Sequence, residues 1–169
     1  MRAKIEANIE AGNDTYKSIR INFSEIIKAT IDRNAIISTK VNKEGNLEFS
    51  TDILNDTGAE TSQGFGHTYR KLLCIAFDLA LIKSYLSSSY IRFVYHDGIL
   101  ETLDDRKKEN LIAVMRKYAA AGVQQIVTAI DSDLPLGPEG ERIKFSPDEV
   151  VLVLHDEGQS GRLFKHDMW

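Results

Sequence analysis

The stretch that decides the fold runs from residue 93 to 105 and reads FVYHDGILETLDD. Its first residues are aromatic or β-branched, which is typical of a strand, and the apolar run ends at the carboxylate of Asp97. Asp104 or Asp105 can then cap a helix. A second apolar segment, residues 123–130, follows that helix. Two apolar strands joined by a helix predict a parallel pair covered on both faces.

The remaining segments predict helices, a hairpin and a further strand around this unit. Residues 68–86 are apolar almost all round, which favours a buried helix. Residues 13–33 begin with capping side chains and continue with helical apolar spacing. Residues 36–50 alternate about a Lys-Glu-Gly turn and predict a β-hairpin, and residues 52–66 form a long polar loop. Residues 148–157 predict a third strand of the sheet.

These elements indicate an α/β fold. We predict three layers, with a small, mostly parallel sheet flanked by helices and with an N-terminal helix and β-hairpin. Residues 15–169 would form a single lobe, and residues 1–14 a separate helical stub.

The composition fits one soluble globular domain. The chain has 169 residues, 43% hydrophobic and 27% charged, with a formal net charge of −4. That charge excludes a strongly basic nucleic-acid-binding protein. Cys74 is the one cysteine, so a disulfide framework and a cysteine-based zinc site are excluded. No apolar run reaches the ~20 residues of a membrane span, and residues 1–12 do not read as a secretory signal, so we expect a cytoplasmic protein.

Chemistry in parallel sheets sits at the carboxyl ends of the strands. In this chain those ends carry His96-Asp97 and Asp131-Ser132-Asp133. A carboxylate held rigidly at a strand end can bind a hydrated Mg²⁺ beside nucleotide phosphates. The glycines before the helix at 68–86 leave amide groups that can meet an anion.

Three segments carry a resemblance to a known family. They are GHTYRKLLCIAFDLAL at 66–81, FVYHDGILETLDDRKKENL at 93–111 and QQIVTAIDSDL at 124–134. In this order they resemble the domain-of-unknown-function 2326 family, the C-terminal part of bacterial coiled-coil ATPases related to SMC and RecN proteins. The resemblance covers roughly residues 16–165. It implies the C-terminal lobe of an ABC ATPase head, with residues 1–14 as the end of a coiled-coil arm.

The resemblance also implies roles for particular residues. Asp97 would be the Walker B-like aspartate that holds Mg²⁺ through water, and Asp104 would lie in the D-loop. A signature-like group would face the γ-phosphate of a nucleotide bound to a second head. Its members are Gly66, His67, Thr68 and Tyr69.

The chain departs from the ATPase pattern at three places. The signature serine-glycine-glycine is replaced by Gly66-His67-Thr68. Gly98 stands where the catalytic glutamate would follow the Walker B aspartate, and Ile130 stands where a switch histidine would be. Glu101 is the nearest acidic residue that could polarise water, although it lies three residues late, so Asp97 and Glu101 are the catalytic candidates. Either His96 or Glu101 would substitute for the missing glutamate. The completed head is expected to hydrolyse ATP slowly or to use ATP binding as a clamp.

No GxxxxGK[ST] phosphate loop occurs in the chain. Without that backbone cradle and its lysine, triphosphate binding loses its main anchor, so we expect no ATP hydrolysis by the chain alone. We favour an excised lobe over a stand-alone relic. Its expected partners are an N-terminal ATPase lobe and a second head in a homodimer, with DNA reached through a parent in DNA repair or phage defence. The missing lobe should leave a sheet edge and an apolar face open.

Two other functional classes remain as alternatives. A Toprim-like metal-dependent nuclease would combine Asp131-Ser132-Asp133 with Asp97 or Glu101 to hold two metals. A non-catalytic module would dock protein or DNA through basic residues, namely Arg70-Lys71 and Arg106-Lys107-Lys108.

Overall fold

The computed structural model describes residues 13–55, 57–59, 61, 66–137 and 139–163. Most of the predicted stub, residues 1–12, lies outside them. The chain divides into two units, one ending at Pro135 and one beginning at Leu136. Among the described residues, the first unit contains every α-helix and strand, in the order α1 (Asp14–Ile31), β1 (Asn34–Val41), β2 (Leu47–Leu54), α2 (His67–Ser84), β3 (Phe93–Asp97), α3 (Asp105–Ala120) and β4 (Gln124–Thr128).

Helix α1 begins where its capping residues predict. The side chain of Asn13 accepts hydrogen bonds from the amides of Thr15 at 2.8 Å and Tyr16 at 3.3 Å, which satisfies two otherwise unpaired donors of the first turn. The apolar side of α1, including Phe23 and Ile27, is fully buried. The predicted helix and its buried face are therefore confirmed.

The hairpin pairs β1 with β2 in antiparallel register, with Ala35 opposite Ile53. Strand β2 continues to Leu54, so the prediction that a long loop begins at residue 52 is wrong. Asp52 makes this end of the strand look polar, but Ile53 is completely buried. Burial of that one side chain favours extension of the strand into the polar stretch.

Helix α2 supplies much of the core and packs against α1. Its buried side chains are Leu72, Leu73, Ile75, Ala76, Leu79, Ala80 and Ile82. Cys74 is exposed, so burial is less complete than the sequence predicts. Asn22 of α1 donates to the Ser84 hydroxyl at 2.9 Å, which gives one buried polar group a partner.

Strands β3 and β4 form a parallel pair, as predicted, with Asp97 opposite Thr128 at their carboxyl ends. The prediction that both faces are covered is wrong for the described residues. Alternate positions are exposed, and the apolar side chains among them are Phe93 at 45%, Tyr95 at 54% and Ile126 at 46%. Helix α2 contacts β3 and α3 contacts β4. The helices cover one face, and we call the other, defined by Phe93, Tyr95 and Ile126, the open face.

The unit that begins at Leu136 has no strand among its described residues beyond an isolated bridge between Leu136 and Arg142. The predicted third strand at 148–157 is therefore wrong. Its side chains are exposed, and Val151 reaches 98%. Apolar, β-branched residues do not form a strand unless an edge is available for their backbone hydrogen bonds. No helix in the described part of the chain is long and apolar enough to cross a bilayer.

Candidate functional site

The carboxylate of Asp97 is oriented by the neighbouring strand. Thr128, its partner in the parallel register, donates its hydroxyl proton to Asp97 Oδ1. The amide of Gly98 donates to both the carbonyl and the hydroxyl oxygen of Thr128, at 3.2 Å each. This network fixes the end of β3 to the end of β4 and places Asp97 on the exposed side of the pair.

The loop after β3 is anchored by apolar side chains. Ile99, Leu100 and Leu103 are buried. In the same loop, Gly98 has φ +56° and Thr102 has φ +63°. A β-branched residue with positive φ is uncommon and costs on the order of 1–3 kcal/mol, so surrounding contacts must hold it there. The loop thus has a defined shape maintained from both ends.

Glu101 lies over Gly98. A Cβ atom at residue 98 would stand 2.7 Å from the Glu101 carboxyl carbon and closer still to one of its oxygens. The carboxylate therefore fills the space into which a side chain at residue 98 would project. Lys71 of α2 donates to Glu101 Oε2 and to the Gly98 carbonyl, both at 2.8 Å.

The signature-like residues lie at the start of α2. Gly66 is the N-cap, and the described part of His67 is its backbone in the first turn. The Thr102 hydroxyl donates to the Glu101 carbonyl at 2.6 Å. Because that uses its one proton, the Thr68 hydroxyl is the donor in the 2.7 Å contact between Thr68 and Thr102. The start of α2 is therefore bonded to the loop after β3.

Asp104 is the N-cap of α3, one of the two caps that the sequence predicts. Its side chain accepts from the Lys107 amide at 3.0 Å and pairs with Lys107 Nζ at 2.7 Å. The hydrogen bonds from Lys107 lower the pKa of Asp104 below its usual value. Lys107 Nζ also lies 5.7 Å from the centre of the Tyr69 ring. Lys107 therefore links two residues that the sequence assigns separately to nucleotide contact.

His96 lies away from this cluster. It alternates with Asp97 along β3 and is buried, and its Nε2 has no hydrogen-bond partner among the described residues. Burial lowers the pKa of His96 and raises the pKa of Asp78 on α2. A neutral imidazole on the helix-covered side does not share the face of Asp97, which disfavours His96 as the substitute for the missing catalytic glutamate.

The residues of the nuclease alternative do not converge with Asp97. Asp131–Asp133 form one turn of 3₁₀-helix after β4. In the described part of the chain, no three His, Cys, Asp or Glu side chains form a group that could hold a metal ion. A two-metal centre needs several such ligands close together.

Sequence reasoning missed two residues that organise the site. Lys71 appears in the sequence only as part of a basic pair on a helix, and Thr128 as an ordinary strand residue. The parallel register was the available signal for Thr128, since it places the last residues of two predicted strands side by side. Lys71 carried no such signal, because its partners are 27 and 30 residues away.

Comparison with known proteins identifies a family. Residues 24–168 match the family described as "Uncharacterised protein conserved in bacteria", domain of unknown function 2326. No curated protein matches the chain.

Solved structures of SMC heads share the fold. The Smc head domain of Pyrococcus furiosus, with an extended coiled coil and bound to the C-terminal domain of ScpA, is 18% identical at a TM-score of 0.52, covering 69% of this chain and 29% of that one. The head of Pyrococcus yayanosii with a coiled coil and joint is 19% identical at 0.53, covering 67% and 22%.

A third structure comes from work on the ATP-driven dimerization and DNA-stimulated activation of SMC ATPases. It is 22% identical at a TM-score of 0.51, and the match covers 75% of each chain. At these identities the likeness concerns the fold. The chain therefore belongs to the domain-of-unknown-function 2326 family and has the fold of an SMC-like C-terminal head lobe.

Proposed function

We propose that this chain is the lobe of an SMC-like ABC ATPase head that supplies the Walker B-like, D-loop-like and signature-like elements. The observation that carries the proposal is the convergence of three separate segments. Asp97 ends β3, Asp104 caps α3, and the start of α2 is hydrogen-bonded to the loop that joins them. The shared fold with SMC heads supports this assignment.

Asp97 suits the magnesium role. Mg²⁺ keeps several waters in nucleotide sites and is held by one or two carboxylates together with phosphate oxygens. An exposed carboxylate, oriented by Thr128 at the end of a strand, matches that requirement. When bound, the ion would neutralise phosphate charge, and the task of the chain's own residues is to fix the carboxylate.

Glu101 is the general-base candidate of this site. Its carboxylate occupies the volume above Gly98, the residue that directly follows Asp97. A side chain three positions later would thus supply, in our proposal, the carboxylate that ABC heads carry on the residue after the Walker B aspartate. To polarise the attacking water, the Glu101 carboxylate would have to lie within hydrogen-bond distance of it.

Nucleotide binding would need a second lobe and a second head. The open face presents Phe93, Tyr95 and Ile126 beside Asp97, which suits an apolar contact with a lobe that carries the phosphate loop. Gly66–Tyr69 and Asp104 would meet the nucleotide of the opposing head. The parent would act on DNA, in repair or phage defence.

The test is magnesium-dependent ATP binding and turnover by three samples: the chain alone, the chain with the phosphate-loop lobe, and the same head carrying Asp97→Asn. We expect no binding by the chain alone and ATP binding with slow turnover by the complete head. Asp97→Asn should lower that turnover by at least about a hundredfold.

Asp131→Asn is the matched control, because Asp131 also follows a strand but belongs to no group of three or more His, Cys, Asp or Glu side chains in the described part of the chain that could hold a metal ion. It should leave turnover unchanged. Tight ATP binding by the isolated chain, or equal loss in both variants, would contradict the proposal.

A further inference from the structure

Two side chains of α2, Thr68 and Lys71, make three hydrogen bonds to the loop after β3. Thr68 donates to Thr102 at 2.7 Å. One turn further along α2, Lys71 donates to the Gly98 carbonyl and to Glu101 Oε2, both at 2.8 Å. The loop in question, residues 98–102, follows Asp97 directly. We call this set of contacts the α2–loop tie.

The hydrogen bonds of Lys71 are the stronger part of the tie, compared with the hydrogen bond between Thr68 and Thr102. The Lys71 side chain is 27% exposed, and its ammonium group bonds a backbone carbonyl and a carboxylate at once. Hydrogen bonds between charged groups are shorter and stronger than neutral ones, and fixing two acceptors gives a defined geometry. An exposed surface ion pair by itself would contribute little.

The backbone of the loop leaves room for the Glu101 side chain, and the tie holds that side chain in place. Gly98 and Thr102 both have positive φ, and the space above Gly98 is open to Glu101 because glycine has no Cβ. A glutamate side chain has several rotamers and loses entropy when it is held in one. Among the described residues, Lys71 is the group that the structure shows bonding the Glu101 carboxylate.

The two elements that the tie joins would serve different nucleotide sites in the proposed head dimer. The start of α2 would face the nucleotide of the second head, whereas the loop after β3 serves the nucleotide of its own head. A shift of α2 would therefore move the partner of the Glu101 carboxylate. Such coupling requires a contact that joins both elements, and Lys71 is one.

We propose that Lys71 is a positioning residue: it holds the carboxylate of Glu101 over Gly98, so that contact of α2 with a second head is transmitted to the general base of this head. The inference rests on the proposed function. It adds a residue and a route between two nucleotide sites that the fold likeness does not assign.

The first test uses the chain alone and measures amide hydrogen exchange at residues 98–102. In Lys71→Met we expect exchange at the Glu101 amide, which donates to the Gly98 carbonyl at 3.3 Å, to accelerate about tenfold. Methionine has an unbranched side chain only one atom shorter than that of lysine and a similar helix propensity, and it lacks the ammonium group. Arg70→Met is the matched control on the same helix and should exchange like wild type, and both variants should melt close to wild type. Unchanged exchange in Lys71→Met would overturn the tie.

The second test uses the complete head. Lys71→Met should lower kcat by roughly tenfold to a hundredfold at unchanged KM for ATP. Lys71→Arg, which keeps the charge, should recover most of the loss. In a Glu101→Gln background, Lys71→Met should have no further effect, because both changes remove the same function.

The outcomes separate this inference from the proposed function. If wild type turns over, Asp97→Asn does not, and Lys71→Met matches wild type, the role of Lys71 is wrong and the proposed function stands. If the wild-type head neither binds nor hydrolyses ATP, the proposed function is wrong, and so is the positioning role of Lys71 that rests on it. A loss in Lys71→Met that persists in full in the Glu101→Gln background would also overturn the inference.

Discussion

At the residue scale, position 98 selects glycine for two physical reasons. Its φ of +56° disfavours any residue with a Cβ, and a Cβ there would meet the Glu101 carboxyl group. Gly45, in the turn of the hairpin, also has positive φ, at +85°, but has open space around it. Substitution at Gly45 therefore measures the cost of the backbone conformation alone. Substitution at Gly98 adds the cost of displacing the Glu101 carboxyl group.

We expect Gly45→Ala to lower the free energy of unfolding by about 1–2 kcal/mol, the usual cost of the left-handed conformation. Gly98→Ala should lower it by more, since the Glu101 side chain must also move. Chemical denaturation of both variants measures the difference. Equal losses would contradict the account of Glu101 given above.

Asp104 makes a second prediction at this scale. Asp104→Ala removes the N-cap of α3 and should cost about 0.5–2 kcal/mol of unfolding free energy. Asp104→Asn keeps the cap and removes only the charge, so it is the matched control and should cost less.

The pH dependence of this contribution follows from the lowered pKa of Asp104. Because the unfolded state binds the proton first as the pH falls, the charge of Asp104 stabilises the fold above about pH 4, the usual pKa of the group. The stabilisation is lost as the pH falls through the lower pKa of the folded state. Denaturation of wild type and Asp104→Asn at neutral pH and at about pH 3 should therefore show the gap between them shrinking. A difference in unfolding free energy that grows as the pH falls would contradict the lowered pKa of Asp104.

At the element scale, α2 has a buried side and an exposed side, although its sequence is apolar almost all round. Leu79 is fully buried, whereas Cys74, inside the same apolar run, is exposed. Leu79→Ala should destabilise the fold by about 2–5 kcal/mol because it leaves a cavity between α2 and its neighbours. Cys74→Ala should change stability by less than about 0.5 kcal/mol. Thermal or chemical denaturation of both variants checks the assignment, and a large effect at Cys74 would refute it.

At the scale of the whole molecule, the open face of the β3–β4 pair has no packing partner among the described residues. Phe93, Tyr95 and Ile126 leave apolar surface on a two-stranded sheet. A two-stranded pair is marginal by itself and is normally part of a larger sheet or packed on both sides. The predicted open apolar face is thus present in the structure.

We expect the isolated chain to self-associate through this face. The double variant Tyr95→Thr and Ile126→Thr keeps strand propensity while removing apolar area. It should weaken both self-association and binding of the phosphate-loop lobe by at least about tenfold. Sedimentation and titration with that lobe measure the two effects. Phe49→Thr, an exposed aromatic on β2, is the control and should change neither. Association of the double variant at wild-type strength would contradict the role of the face.

Local signals in the sequence determined the elements of the first unit. Asn13 and Asp104 mark helix starts because their side chains satisfy amides only a few residues away. Strands β3 and β4 are predicted because each contains three β-branched or aromatic side chains in five residues. The family resemblance lies in the same stretches, and it was confirmed over residues 24–168. Each of these features depends on neighbours along the chain, which a sequence displays directly.

Tertiary structure decided what depends on distant neighbours. It exposed one face of the parallel pair and left Val151 and its neighbours without a strand, because a strand and a covered face both need a partner that sequence alone does not locate. It also built the site: Thr128 orients Asp97, and Lys71 holds Glu101 over Gly98. These contacts join residues about 30 positions apart, and hydrogen bonds of that kind form only when packing of the helices brings their partners within about 3 Å. The sequence by itself therefore determined the α/β elements and the candidate acids, and only the folded chain decided which side chains act on them.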